Sequence, residues 1–419
     1  MIQSCLSEGE VKPFVKDYGM VIVDECHHVS SVSFELVLRQ VTATFVYGLT
    51  ATPIRKDGHQ PIIFMQCGKI RFTSDAKSQM ENQGFKRLLI PRFTSFRSII
   101  SDRKTYVQIT QELSEDKVRN EFVMEDVKAA IQKGRTPLVL TTRTAHVKVL
   151  AQMLMPFADH VIQLIGADSA KEKRLALQNL QSIPTSESLV IVATGKYVGE
   201  GFDYPRLDTL FLTIPIAWKG NVEQYAGRLH REYEGKSEVC IYDYVDIRVP
   251  LCDSMYRKRL KGYARAGYGK NVTSPAPDKK SQELIYEQNN YEAAFRNDLA
   301  KDKHSVVIAV PKVKFKYKPS IMSALANLLH NGVSVVVHVK EEGANEIELS
   351  NAGMDVVCNK EQTLQCAVID KAIVWYGNIN FFGYNSETNN VMRIADHKIA
   401  NEMMEILYSA TENKANETR

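Results

Sequence analysis

Between residues 137 and 245 the runs PLVLTTR, VIQLIG, SLVIVATG, TLFLTIP and EVCIYDYV recur with helical segments between them. Continuous aliphatic runs this short fit strands buried on both faces. Strand–helix alternation then calls for crossover helices, so the pattern predicts a parallel sheet covered on both sides. GMVIVDE, FELVLRQV and TFVYGLTATP repeat the alternation in the first seventy residues. After a polar interlude at 73–85, KRLLIPRF reads as a strand and SEDKVRNEFVMEDVKAAIQKG as an amphipathic helix stopped by glycine. A third series, from HSVVIAVPKV to CAVIDKAIVWYG, follows GYGKNVTSPAPDKKSQ (267–282), whose Gly, Pro, Ser and Lys read as a linker. The expected organisation is α/β throughout: a first domain over 1–72, a second over 86–250, a basic segment and linker over 251–282, and a third domain over 283–408.

Apolar residues make up 44% of the 419 and charged residues 24%, as in ordinary globular protein. The longest apolar runs fall far below the ~18 residues that span a bilayer, and MIQSCLSEGE has no signal-peptide core, so a cytoplasmic protein with no membrane partner is expected. Seven cysteines without a C-x-x-C pair fit reduced thiols. The net charge of +4 is small but unevenly spread. YRKRLKGYARAGYGK (256–270) holds six Lys or Arg, three Tyr and no acid, which makes Arg257, Lys258 and Arg259 candidates for a nucleic-acid face, against a solvated helix. PKVKFKYKP (311–319) spaces lysines at period two, so Lys314 and Lys316 would lie on one face of a strand; contact with a phosphate backbone and protection of a sheet edge remain equal readings.

VIVDECHHVS (21–30) sets Asp24, Glu25, Cys26, His27 and His28 at the end of an aliphatic strand. A metal site, a thiol with its base and the acidic end of a nucleotide-binding strand are all compatible with it. In the third reading Asp24 holds Mg²⁺ and Glu25 polarises the water that attacks a γ-phosphate. Downstream, GLTATP (48–53) ends a second strand with Thr50 and Thr52. VEQYAGRLHRE (222–232) spaces Gln224, Arg228 and Arg231 at i, i+4 and i+7, one helical face with two guanidinium forks suited to phosphate charge.

Together, VIVDECHH and LTATP resemble motifs II and III of the superfamily 2 helicases, in the DEAD/DEAH-box-like group that includes restriction and defence helicases. VATGKYVGEGFDYPRLDTLFL (192–212) resembles motif V, VEQYAGRLHRE resembles motif VI, and TTRTAHVKVL (141–150) is similar to motif IV. The resemblance implies two RecA-like parallel-sheet domains, with ATP and Mg²⁺ as ligands and nucleic acid, DNA before RNA, as partner. It assigns catalysis to Asp24, Glu25, Arg228 and Arg231, with Asp24 as the metal ligand. Gln224, Gly201 and Asp203 become nucleotide contacts, His27, Thr50 and Thr52 couple nucleotide to nucleic acid, and Thr194 and Gly195 contact the nucleic-acid backbone.

A motor of this family also needs G-x-x-x-x-G-K-[ST], whose amides and Lys hold the β and γ phosphates. The sequence has no match; Gly235-Lys236-Ser237 lacks the first glycine, since His230 stands there, and reads as a turn. The first RecA-like domain is therefore expected to be incomplete, the chain truncated and inactive alone, with a missing N-terminal half or other system subunits as partners. LQCAVIDKAIVWYGNINFFGYN (364–385) resembles the second half of a phospholipase D-like motif through Asp370, Gly377 and Asn380. Thr363 and Gln365 replace the His and Lys that perform its chemistry, so that module is expected to be degenerate. The leading expectation is an ATP-dependent helicase or translocase. A non-catalytic nucleic-acid-binding subunit is the alternative, and a phospholipase D-type nuclease stands third.

Overall fold

The structure is a computed structural model of the 419 residues and describes 2–7, 9–24, 26, 32–50, 60–73, 85–98, 105–166, 169–199, 202–216, 221–268, 285–300, 304–314, 318–360, 362–386 and 389–417. The chain divides into two compact units, Met1–Gln79 and Met80–Arg419.

In the first unit, β1 (Leu6–Ser7) pairs antiparallel with β2 (Glu10–Val11), and β3 (Met20–Val23) pairs parallel with β4 (Phe45–Gly48). Helices α1 (Val32–Gln40) and α2 (Gln60–Cys67) supply Leu38 and Ile63 to a small core with Val23 and Cys26. Strand alternation puts Met20, Ile22, Phe45 and Tyr47 on the other side of the β3–β4 pair, and all four are exposed. Parallel strands ordinarily carry a layer on each face. Here, among the described residues, one face alone is packed.

The second unit holds two sheets. The first contains β5 (Lys86–Phe93), β6 (Pro137–Thr141), β7 (His160–Leu164), β8 (Leu189–Thr194), β9 (Thr209–Leu212) and β10 (Glu238–Val245), in the order β5-β10-β9-β6-β8-β7. Every pairing is parallel. Strands β6, β8 and β9 are buried at every residue, which explains their unbroken aliphatic runs. Helices α3 (Tyr106–Glu115), α4 (Lys117–Gln132), α5 (Thr144–Leu154), α6 (Ala170–Ser182), α7 (Gly195–Gly199) and α8 (Asn221–Leu229) occupy the connections. Capping boxes at Thr105/Gln108 and Ser169/Glu172 start α3 and α6. The mixed α/β architecture and its parallel sheet agree with the expected fold class.

Helix α9 (Pro250–Arg265) corrects the reading of the basic stretch as a nucleic-acid face. Arg259 is 1% exposed; its Nε and Nη2 each donate to Asp243 at 2.8 Å, and Nη1 donates to the Ile216 carbonyl at 3.0 Å. Arg257 pairs with Asp253 at 2.5 Å and is largely covered. Tyr256, Tyr263 and Tyr268 are fully buried. Asp243 on β10 and Asp253 one turn earlier on the same helix hold two of these cations inward, and of the three named residues only Lys258 is exposed.

The second sheet is mixed, in the order β11-β17-β16-β15-β12-β13-β14. It contains β11 (Ile285–Glu287), β12 (Ser305–Ala309), β13 (Ser334–Val339), β14 (Asp355–Cys358), β15 (Cys366–Ile369), β16 (Ile373–Gly377) and β17 (Asn390–Ala395). The strands β12, β13 and β14 are parallel, and the remaining pairings are antiparallel. Helices α10 (Tyr291–Leu299), α11 (Pro319–His330) and α12 (Ala344–Asn351) precede the final α13 (His397–Glu417). One continuous core joins the two sheets: Phe93, Tyr256 and Leu260 belong to the same cluster as Tyr376, Met392, Met403 and Leu407. Arg92 reaches Glu402 at 2.7 Å, and Arg248 donates to the Ile406 carbonyl. The predicted linker at 267–282 lies largely outside the described residues.

Candidate nucleotide and nucleic-acid site

Strand β3 delivers Asp24 to an exposed turn. Strand β4 closes on that turn: Leu49 N donates to the Val23 carbonyl at 2.8 Å, and Cys26 N donates to the Leu49 carbonyl at 2.9 Å. The acidic turn and the half-buried Thr50 are therefore brought side by side within the first unit. A Cβ on Gly48 would lie 2.8 Å from the Cys26 sulfur, so Cys26 is a packing residue. Glu25, His27, Thr52, Gly201 and Lys316 lie outside the described residues.

In the second unit, α8 carries Gln224 and Arg228, both half-buried. Buried Tyr225, Ala226 and Leu229 fix its inner face. The Nε of Arg228 is buried and has no hydrogen-bond partner among the described residues. The helix ends at Leu229, so Arg231 does not continue the helical face that the i, i+4, i+7 spacing predicted. It lies in the following turn, where its Nε donates to Asp203 at 3.2 Å. Two residues assigned separate roles are thereby joined in one exposed ion pair.

Beyond the helix end stands Lys236, whose ammonium donates to the carbonyls of Leu229 (3.1 Å), Arg231 (2.8 Å) and Pro205 (2.6 Å). Carbonyls at a helix C-terminus lack intrahelical donors, and a cation there is favoured by the helix dipole. Burial lowers the Lys236 pKa to about 8, opposed by Asp208. Gly235, at φ +80°, makes the turn that brings the lysine back. The Gly-Lys-Ser sequence is thus a turn, as expected, with a capping role that its spacing did not show.

Strand β8 ends in Thr194, whose Oγ1 accepts from Gly166 N at 2.8 Å, and Gly195 opens α7. A Cβ at Gly195 would stand 2.5 Å from the Tyr225 hydroxyl, so this glycine lets α8 approach the strand end. Thr194, Gly195 and α8 consequently form one neighbourhood at the carboxyl edge of the parallel sheet, where such sheets bind ligands.

Nearby in the chain, His146 is 1% exposed, with Nε2 2.9 Å from Asn120 Oδ1 and Nδ1 2.8 Å from Thr141 Oγ1. Burial, then Arg119 and Arg143, lowers its pKa from 6.5 to about 3. Between these values the unfolded chain binds a proton that the folded chain does not. Stability should therefore be complete above pH 6.5 and fall toward pH 3, by up to ~1.4 kcal/mol per pH unit from this group. His230, also lowered to about 3, adds a second such term. The urea midpoint should drop between pH 7 and pH 5, and less steeply in His146→Gln; equal parent midpoints would count against the assignment.

The phospholipase D-like positions separate. Asp370 occupies the β15–β16 turn at φ +52°, and its Oδ1 accepts from His304 N (2.8 Å) and Ser305 N (3.0 Å). Gly377 closes β16 at its opposite end, and Asn380 follows in the next loop. Asn380 is held in its loop, with Nδ2 donating to the Lys312 carbonyl and Oδ1 accepting from Phe382 N, both at 2.9 Å. Lys314 is exposed, whereas Lys318 is buried against Glu292 at 3.0 Å. A groove of about 540 Å³ lined by Ser305, Ser334, Lys371 and Tyr408 lies at the amino ends of β12 and β13, on the other sheet from α8.

Residues 2–55 match the family model described as type III restriction enzyme, res subunit. Over 261 residues the chain is 24% identical to the "Putative ATP-dependent RNA helicase L396" of Acanthamoeba polyphaga mimivirus, covering 59% of this chain and 47% of that protein. The sequence is similar to nucleic-acid helicases. The chain spans about half the length of the curated relatives it matches. Among solved structures, T4 UvsW is 19% identical, with a TM-score of 0.32 over 65% of this chain and 49% of UvsW. The phospholipase D family member Nuc from Salmonella typhimurium is 20% identical, with a TM-score of 0.27 over 31% of this chain and 91% of Nuc. Among the described residues no helix is long and apolar enough to cross a membrane, and no group of three or more His, Cys, Asp and Glu could hold a metal ion.

Proposed function

We propose that these residues form motor elements of an ATP-dependent helicase or translocase, and that ATP turnover requires a phosphate-binding loop absent from the 419 residues. The observation that carries the reading is the Arg228 side chain: a guanidinium on a capped helix, with a buried Nε that no described group satisfies. An arginine so placed fits an anion, and a planar fork beside developing phosphate charge is what phosphoryl transfer requires. Arg231 and Asp203 would complete the nucleotide side with Gln224 and Gly201. Asp24 at its exposed turn suits water-mediated Mg²⁺, and the magnesium ion would neutralise phosphate charge. Glu25 would orient the attacking water, and His27, Thr50 and Thr52 would relay nucleotide state to nucleic acid. Thr194, Gly195, Lys258, Lys314 and Lys316 are the proposed nucleic-acid contacts.

DNA is the preferred substrate, with RNA as the alternative because two relatives are named RNA helicases. The phospholipase D-like module is proposed to be non-cleaving, since Thr363 and Gln365 offer neither nucleophile nor phosphate-binding cation. The missing loop also favours a second reading, a nucleic-acid-binding subunit without catalysis.

The 419-residue polypeptide should show background ATP hydrolysis with or without DNA while binding polynucleotide in a salt-sensitive manner. Magnesium-dependent turnover abolished by Glu25→Gln would refute the requirement for the missing loop. Absence of polynucleotide binding at low salt would refute the nucleic-acid reading.

A further inference from the structure

The carboxyl ends of β12, β13 and β14 share one edge of the seven-stranded sheet, because the three strands are parallel. Antiparallel pairing brings the start of β15 and the end of β16 to that same edge: Cys366 pairs with Ala309, and Gly377 N donates to the Gln365 carbonyl at 3.3 Å. Beyond these ends stand Lys312 and Lys314 after β12, Lys340 after β13 and Lys360 after β14, all exposed.

The segment carrying Lys312 and Lys314 is stitched to the loop after β16. Asn380 Nδ2 donates to the Lys312 carbonyl, and Lys314 N donates to the Phe382 carbonyl at 2.6 Å. Val313 between them is buried, its N donating to Glu346 Oε1 at 3.1 Å and its carbonyl accepting from Asn345. Two residues beyond Phe382 in this loop, Tyr384 is 76% exposed. The edge also carries exposed Glu341 and Glu342, while Glu346 is buried beneath the lysine segment. With exposed Glu287 at the end of β11, brought to the same edge by its pairing with Asn390, four ammonium groups face three exposed carboxylates, which leaves the edge cationic among the described residues.

We propose that this edge binds single-stranded nucleic acid, the lysines following the phosphates and Tyr384 stacking on an unpaired base. The inference rests on the nucleic-acid part of the function proposed above. Lysines alone would suit any polyanion; the protruding ring beside them favours a strand with free base faces over a duplex, because stacking platforms plus a basic track are how such strands are held without sequence preference. An acidic peptide would draw on the lysines and make no use of the exposed face of Tyr384.

The test is fluorescence anisotropy of the full 419-residue chain with labelled oligothymidylate, oligouridylate and a DNA duplex across a salt series. Tyr384→Ala should weaken single-strand binding about tenfold or more, with Tyr384→Phe close to parent and duplex binding unchanged. Lys312→Glu combined with Lys314→Glu should weaken both single strands and reduce the salt slope by ~0.7 for each phosphate no longer neutralised, whereas Lys148→Glu on α5 should not. Equal effects on oligothymidylate and oligouridylate are expected, since no sugar-specific group is invoked. If the parent binds oligonucleotide and the Tyr384 and double-lysine variants stay within twofold of it, this inference fails alone. If the parent binds none, it fails together with the nucleic-acid reading. Variants that lose the parent's circular-dichroism melt are replaced by Lys312→Ala and Lys314→Ala, with the same criterion.

Discussion

Arg259→Met should destabilise the second unit by about 3–5 kcal/mol, the range for breaking a buried ion pair from one side. The guanidinium and its partner Asp243 are each 1% exposed, and Tyr263 also donates to that carboxylate at 2.8 Å. Removing the cation leaves a buried negative charge with one neutral donor, and frees the Ile216 carbonyl that follows β9. Urea titration followed by circular dichroism gives the size of the loss. The control is the double variant Arg259→Met with Asp243→Leu, expected to recover most of it, because an apolar pair of similar volume often replaces a buried ion pair at little cost. A single variant as stable as the parent would show that Asp243 is solvated after all.

Gly377→Ala should be nearly as damaging for a steric reason. A Cβ there would lie 2.3 Å from the Asn390 carbonyl oxygen and 2.7 Å from Val391 Cα, both backbone atoms of the neighbouring strand. No rotamer change can relieve that overlap, so β16 and β17 must part where Gly377 pairs with Val391. Overpacking of this kind typically costs 1–3 kcal/mol, and roughly the upper end applies when backbone must move. The Asn378 amide, which donates to the Asn390 carbonyl at 3.0 Å, should then exchange with deuterium markedly faster than in the parent. Unchanged exchange would mean that the two backbones leave room for a methyl group. This role for the glycine is independent of catalysis.

The parallel sheet was readable in the sequence because strands buried on both faces have no polar alternation, and SLVIVATG and TLFLTIP show none. The ends of α8 were less so. Periodicity carried Arg231 onto the helix, but the helix ends at Leu229, where Lys236, folding back through a left-handed glycine, meets its last carbonyl, and a cap supplied from beyond the helix leaves no trace in its spacing. The stretch from Tyr256 to Lys270 was misread for a related reason: local composition counts its cations but not Asp243, which meets Arg259 only in the fold. Lys318 follows the same rule, since the lysine period predicts one solvent face while Glu292 pulls this member inward. Thr194 and Gly195 were singled out by motif alone, and the closeness of Tyr225 to that glycine was not foreseeable from either segment.

The core shared by the two sheets bears on how the protein can be dissected. Cutting the chain after the parallel sheet would not release an intact module, because Phe93, Tyr256 and Leu260 would lose the covering provided by Tyr376, Met392 and α13. Arg92 would likewise keep Asp126 but lose Glu402. Deletion variants ending near residue 282 should therefore be sticky and poorly folded, and a lost activity in them would report a torn core before it reported a missing domain.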